Sequence, residues 1–174
     1  MPMSGEQMLR LYRRAGWAVM SRRGSHPGGR TLAVTYHFRI HAEKRRLWAE
    51  CVELEGCVTQ ADSRSELDRS MQEALNLYLE EPRSSTTIFP PPSERPYGKN
   101  VVSVEVDPAV AFSTQLRQLR VLSRITQKEA AHRLGMRSLY SYQRLERRSN
   151  PSLSTMKKVK TLFPKFSLDS ILGN

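Results

Sequence analysis

Two periodicities share this chain without mixing. From Tyr36 to His41 apolar and polar residues alternate, with Tyr36, Phe38 and Ile40 on one side and His37, Arg39 and His41 on the other. That is the period of a half-buried strand. After Asp107 the alternation is gone, and helix start and stop signals follow one another closely. A chain patterned this way is expected to fold as α+β: a small β-sheet with one packed helix, followed by an all-α part. Its 174 residues leave room for one or two small cores and none for a large barrel.

The pattern divides the chain into four stretches. Residues 1–34 open with a short helix over 4–15, where Ser4 and Gln7 form a capping box and Gly16 suits the residue after the end. A basic stretch ending in Ser25-His26 and the turn Pro27-Gly28-Gly29 follow. Residues 35–81 read as three strands and a helix. The first strand ends near His41, residues 42–46 form a loop, and 47–54 and 57–60 are the second and third strands. Asp62 or Ser63 caps the helix, Ser63 and Glu66 form a second capping box, and Leu67, Met71, Ala74, Leu75 and Tyr78 make the apolar stripe. Residues 82–100 hold five prolines, three of them consecutive, and read as an extended linker. Residues 101–174 begin with a short strand, 101–106, and continue as five short helices. The start signals are Asp107-Pro108, Thr126 with Glu129, Ser152 or Ser154, and Ser167, and the third helix spans roughly residues 138–147.

The net charge is +11. It is unevenly spread: residues 1–30 carry +5, residues 31–106 carry −3 and residues 107–174 carry +9. A basic C-terminal third is the electrostatic footprint of a polyanion binder. The composition, 39% apolar and 26% charged, is that of a globular chain. No apolar run approaches the roughly 18 residues of a membrane span, and the first residues lack the apolar core of a secretory signal. Cys51 and Cys57 are too few for a disulfide scaffold and lack metal-site spacing. The expectation is a cytoplasmic protein with free thiols, no cofactor and no metal.

The most specific motif is Thr126-Gln127-Lys128-Glu129-Ala130-Ala131-His132-Arg133-Leu134-Gly135-Met136. Thr126 caps a helix, Ala130 and Ala131 are small enough for a second helix to approach, and Gly135 makes the tight turn. The segment resembles the helix-turn-helix of the lambda-repressor/Cro type. The likeness continues through Leu145-Glu146 and Asn150-Pro151-Ser152-Leu153-Ser154-Thr155-Met156. It departs in two places. Gly135 to Glu146 is one residue longer than usual, and Arg147-Arg148-Ser149 stands where a glycine follows the glutamate. Candidate contacts are therefore taken from periodicity. With Met136, Tyr142 and Leu145 facing inward, Arg137, Ser138, Leu139, Ser141 and Arg144 are the base-edge candidates. Gln127 and Lys128, at a helix N-terminus, are the phosphate candidates.

A second resemblance covers about residues 35–174. Tyr36-His37-Phe38-Arg39-Ile40-His41, the run from Trp48 to Gln60, Glu73-Ala74-Leu75-Asn76-Leu77-Tyr78-Leu79 and the run from Ser138 to Glu146 look like the HicB antitoxin family. That resemblance implies a partial ribonuclease-H-like domain that binds a small mRNA-cleaving toxin, HicA, and a DNA-binding domain that represses the family's own operon. A nuclease reading of the sheet itself is disfavoured. If 47–54 is one strand, Glu50 and Glu53 point to opposite faces and cannot hold one metal pair. Glu53 and Glu55 then read as a solvated acidic surface, suited to cover a basic toxin.

Residues 3–26 are similar to the start of the toxin rather than the antitoxin. Met3 to Trp17 matches its first helix, and Arg23-Gly24-Ser25-His26 matches the segment that carries its catalytic histidine. The toxin's closing helix has no counterpart, so residues 1–34 read as a toxin-like remnant. The resulting expectation is a non-enzymatic antitoxin that binds double-stranded operator DNA and a HicA-type toxin as a homodimer or higher oligomer. The alternatives are a fused toxin–antitoxin that cleaves RNA through His26, and a stand-alone repressor with no toxin partner.

Overall fold

The computed structural model describes residues 34–43, 46–82, 84–93 and 98–172. The expected helix at 4–15 and His26 lie outside these residues, as does the remnant at 1–34 apart from Val34. The chain is mixed α/β, with a four-stranded antiparallel sheet and six helices among the described residues. The strands are β1 (Thr35–Glu43), β2 (Arg46–Cys51), β3 (Val58–Ala61) and β4 (Val101–Glu105). Their order across the sheet is β3-β2-β1-β4. The first hairpin is tighter than its basic composition suggests: β1 runs on to Glu43 and β2 starts at Arg46, pairing Glu43 with Arg46 and His41 with Trp48.

Helix α1 (Arg64–Glu80) covers one face of this sheet. Ser63 caps it by accepting the Glu66 N–H, and Leu67, Met71, Leu75 and Leu79 are buried along its inner stripe. They meet Tyr36, Phe38, Ala49, Cys51, Ala61 and Val104, which share that face of the sheet. The alternation read in β1 therefore sorts its residues as expected at Tyr36 and Phe38.

Strand β4 differs from the sequence reading in its place. It pairs along its whole length with β1, Val104 opposite Tyr36, so it belongs to the sheet rather than to the helical part. The proline-rich stretch packs on the protein at Phe89 and Pro90. Phe89 is buried, and Tyr36 donates its hydroxyl to the Pro90 carbonyl. Extended proline-rich chain carries few internal hydrogen bonds, so its carbonyls are open to such side-chain donors.

The remaining helices are α2 (Pro108–Leu122), α3 (Gln127–Arg133), α4 (Leu139–Leu145), α5 (Leu153–Leu162) and α6 (Asp169–Leu172). Asp107 caps α2, and Asn76 of α1 accepts the Asp107 N–H, fixing where α2 begins. Every residue from 110 to 120 in α2 is buried. A helix buried all round has no polar face to show. One side of α2 meets α1, where Arg117 donates to the Leu79 carbonyl. Another side meets the C-terminal helices: Phe112 packs edge-on against Phe166, and the Gln115 amide bonds both Ser167 and Ser170. One buried cluster runs through all of it, from Phe38 in the sheet to Ile171 in α6.

Candidate nucleic-acid interface

The pair α3–α4 is built by local chemistry. Thr126 accepts the Glu129 N–H and Ser138 accepts the Ser141 N–H, so both helices start on a side-chain cap. Between them Gly135 has φ +66°, the left-handed conformation that lets α3 stop and the chain turn. No atom lies within 4 Å of where its Cβ would be, so the requirement for glycine is conformational rather than steric. Ala130 and Ala131 are buried, and α3 and α4 pack on each other. Tyr142 is fully buried, and Met136 and Leu145 are half-buried against the core, as the periodicity predicts. Burial, followed by the nearby Glu146 charge, pushes the Tyr142 phenol well above its usual range, so it stays neutral.

A buried ion pair anchors this unit. Glu146 accepts from Arg120 of α2 through both carboxylate oxygens, and the two side chains are each 4% exposed. Arg120 also donates to the carbonyls of Ser85 and Ile125. The same Glu146 carboxylate accepts from Gln127 at 2.7 Å, and Gln127 in turn accepts from Gln143 at 3.2 Å. Four side chains thus link α2, α3, α4 and the Ser85 turn.

The expected contact residues separate into two groups. Lys128, Arg137, Ser138, Leu139, Ser141 and Arg144 are all exposed. Arg137, Ser138, Leu139 and Ser141 line the turn and the start of α4, whereas Arg144 lies in its last turn. The Ser138 hydroxyl is already occupied by its cap and lies 2.9 Å from that of Ser141. Gln127 is different: both ends of its amide are bound inside the protein, so it positions α4 against α3 rather than presenting itself to a phosphate. Tyr140, 68% exposed on α4, was missed because the period offers no reason for an aromatic ring on that side.

The sheet carries a different set of charged residues. On the open face of the sheet His41 stacks on Trp48 at 3.9 Å, and Glu50 reaches Arg39 and His41 at 3.6 and 3.2 Å. Glu53 is not part of a solvated acidic surface, as the strand reading had it. Strand β2 ends at Cys51, so the parity argument no longer applies, and the chain turns Glu53 inward to 5% side-chain exposure. There it accepts from the His37 ring nitrogen Nδ1 at 2.6 Å, from the His37 N–H and from the Ser93 N–H. An ionised carboxylate only accepts, so Nδ1 carries the proton. Burial raises the Glu53 pKa, but the bonds from the His37 ring and from the Ser93 and His37 N–H groups outweigh it and hold the carboxyl below its ordinary value. Glu55 remains exposed. Cys51 and Cys57 are buried free thiols side by side; contact with Cys57 and burial keep the Cys51 thiol protonated. No cluster of three or more metal-ligating side chains occurs among the described residues.

A carboxylate with a lowered pKa contributes stability above its unfolded pKa and loses it as pH falls through the folded one. Wild-type protein should therefore lose more stability than Glu53→Gln on acidification below about pH 4–5, near the ordinary carboxylate range. At pH 7 the variant should be weaker by about 1–3 kcal/mol, the scale of hydrogen bonds to a charged group. Thermal melts of both proteins from pH 7 to pH 3 check this; parallel curves would show that the Glu53 charge holds nothing.

Comparison with protein-family models and with curated proteins gives no match. The functional reading therefore rests on the residues and their geometry.

Proposed function

We propose that this chain is a DNA-binding antitoxin of the HicB kind. In this reading α4 enters the major groove of operator DNA, and the sheet-bearing part binds a HicA-type mRNA-cleaving toxin. The chain acts in the cytoplasm as a homodimer or higher oligomer and catalyses nothing itself. The observation that carries the reading is the α3–α4 pair. It is capped at both starts, turned by a left-handed glycine, and anchored from inside by Glu146, while Arg137, Leu139, Ser141 and Arg144 are left outside. The +9 charge of residues 107–174 supports it independently. No helix among the described residues is long and apolar enough to cross a membrane. Toxin binding draws support from the sequence resemblance and from the open sheet face with Glu50, His41 and Trp48.

The test is fluorescence-anisotropy binding to the protein's own upstream DNA and to scrambled DNA at two salt concentrations. A specific-to-scrambled ratio of at least ~10³ at physiological salt is expected, with affinity falling steeply as salt rises. Equal binding to both sequences would reduce the basic end to an electrostatic grip. A pull-down with a HicA-type toxin separates the antitoxin from a stand-alone repressor.

A further inference from the structure

Strand β4 lies at the outside of the sheet, with β1 on one side only. Its ladder with β1 runs through the even-numbered residues: the Ile40 N–H reaches the Asn100 carbonyl and the Val106 N–H reaches the Val34 carbonyl, both at 2.9 Å. Along an antiparallel ladder, residues bonded to the neighbouring strand alternate with residues that are not. The N–H and C=O groups of Val101, Ser103 and Glu105 therefore point away from β1, and none has a hydrogen-bond partner among the described residues. Ser103 and Glu105 are exposed and Val101 is half-buried. An uncovered edge is a template for another strand, and edges that must stay single carry lysine, proline or a bulge. Strand β4, Val-Val-Ser-Val-Glu, has neither residue and pairs with β1 without interruption. The opposite edge is blunter. In β3 only Val58 and Gln60 turn outward, and the next N–H in line, that of Asp62, is taken by Glu66.

The β4 edge also fits itself. Two β4 strands paired antiparallel about a twofold axis at Ser103 set Ser103 opposite Ser103, and Val101 opposite Glu105 of the other copy. Every outward N–H and C=O of both strands is then paired. Moving the axis by one residue leaves an outward residue of each strand without a counterpart in β4. The same register keeps the two Glu105 carboxylates at opposite ends of the seam. Each comes toward Lys99, an exposed cation in the turn just before the facing strand. On the face that α1 covers, Val102 meets Val104 of the other copy, and apolar cross-strand pairs of this kind hold strands together. Val102 is only half-buried in the single chain, so it has surface left to bury. We propose that β4 is a self-association surface whose occupant is the β4 strand of a second copy, joining two sheets into one. This names the contact of the homodimer proposed above and rests on the chain forming one; it needs neither DNA nor toxin.

The test is sedimentation velocity of the full chain without DNA over a concentration series, with the Tm of each variant. The wild type should sediment as a dimer that dissociates on dilution. Ser103→Pro removes an outward N–H and none of the bonds to β1, and proline is tolerated on an edge strand where its nitrogen faces outward. It should raise the dimer Kd by about tenfold or more, the scale of losing hydrogen bonds along the seam, with little change in Tm. Ser103→Cys gives a readout that does not depend on proline. Facing Cα atoms about 5.5 Å apart lie within disulfide reach, so mild oxidation should link two copies. Gln60→Cys on the opposite edge, and the wild type, should stay unlinked. A wild type that is monomeric throughout would overturn this contact and the homodimer together. A dimer that survives Ser103→Pro with its Tm unchanged would overturn the contact and leave the homodimer standing. So would Ser103→Cys linking no better than Gln60→Cys.

Discussion

Glu146→Ala is expected to be among the most damaging single substitutions in the chain, costing about 3–5 kcal/mol, the scale for removing one partner of a buried ion pair. For a chain of this length that is a fall in Tm of roughly 10 °C or more. The reason is what the carboxylate leaves behind. Arg120 is 3% exposed and would lose its only charged partner among the described residues, keeping just the Ser85 and Ile125 carbonyls. Gln127 would lose its acceptor, and Gln143 would lose the fixed position of Gln127. The pair itself need not be a net source of stability. Replacing both members with apolar residues, Arg120→Met with Glu146→Leu, should recover a large part of the loss. Urea melts of the wild type, the single variant and the double variant measure this. A single-variant cost below about 1 kcal/mol, the scale of an exposed ion pair, would mean that Glu146 does not anchor the helix pair.

How much of this was legible in the sequence depended on how far each interaction reaches along the chain. Helix starts were read correctly at Asp107 and Thr126, and to within one residue at Asp62 or Ser63, because a capping side chain accepts an N–H only two or three residues ahead. The choice between Ser152 and Ser154 could not be made by type alone; Ser152 is the cap. The apolar stripe of α1 was legible because that helix is buried on one side only. Helix α2 hid its role, since total burial erases periodicity and its buried arginines look like surface residues. The partners of Arg117 lie in α1 and just beyond α4, and that of Glu53 lies across the sheet in His37. No local pattern announces such pairs. The mistaken reading of Glu53 had one cause: a strand assumed to reach Leu54 ends at Cys51. The docking of the proline-rich stretch was not legible, because proline content reports stiffness and says nothing of whether a neighbouring side chain, here Tyr36, bonds its carbonyls.

The same distinction between exposed and engaged side chains sharpens the second large prediction. If α4 reads bases, Arg137→Ala and Arg144→Ala should each cost about 1–3 kcal/mol on operator DNA and much less on scrambled DNA, because a bidentate contact to a base edge discriminates by that amount. Lys128→Ala should weaken binding to both DNAs alike and reduce the salt slope by about one unit, as loss of a phosphate contact does. All three side chains are exposed, and none is paired to an acidic residue among the described residues. Their removal should therefore leave Tm nearly unchanged, which separates loss of recognition from loss of fold. Gln127→Ala supplies the contrast. Its amide is bound to Glu146 and Gln143, so its loss should appear in stability first and in DNA affinity only through the displaced α4. Anisotropy titrations on both DNAs, with melts of each variant, measure the set. If Arg137→Ala, Arg144→Ala and Lys128→Ala all weakened specific and scrambled DNA equally, α4 would be gripping the backbone rather than reading the sequence. The base-reading role would then have to move to another element.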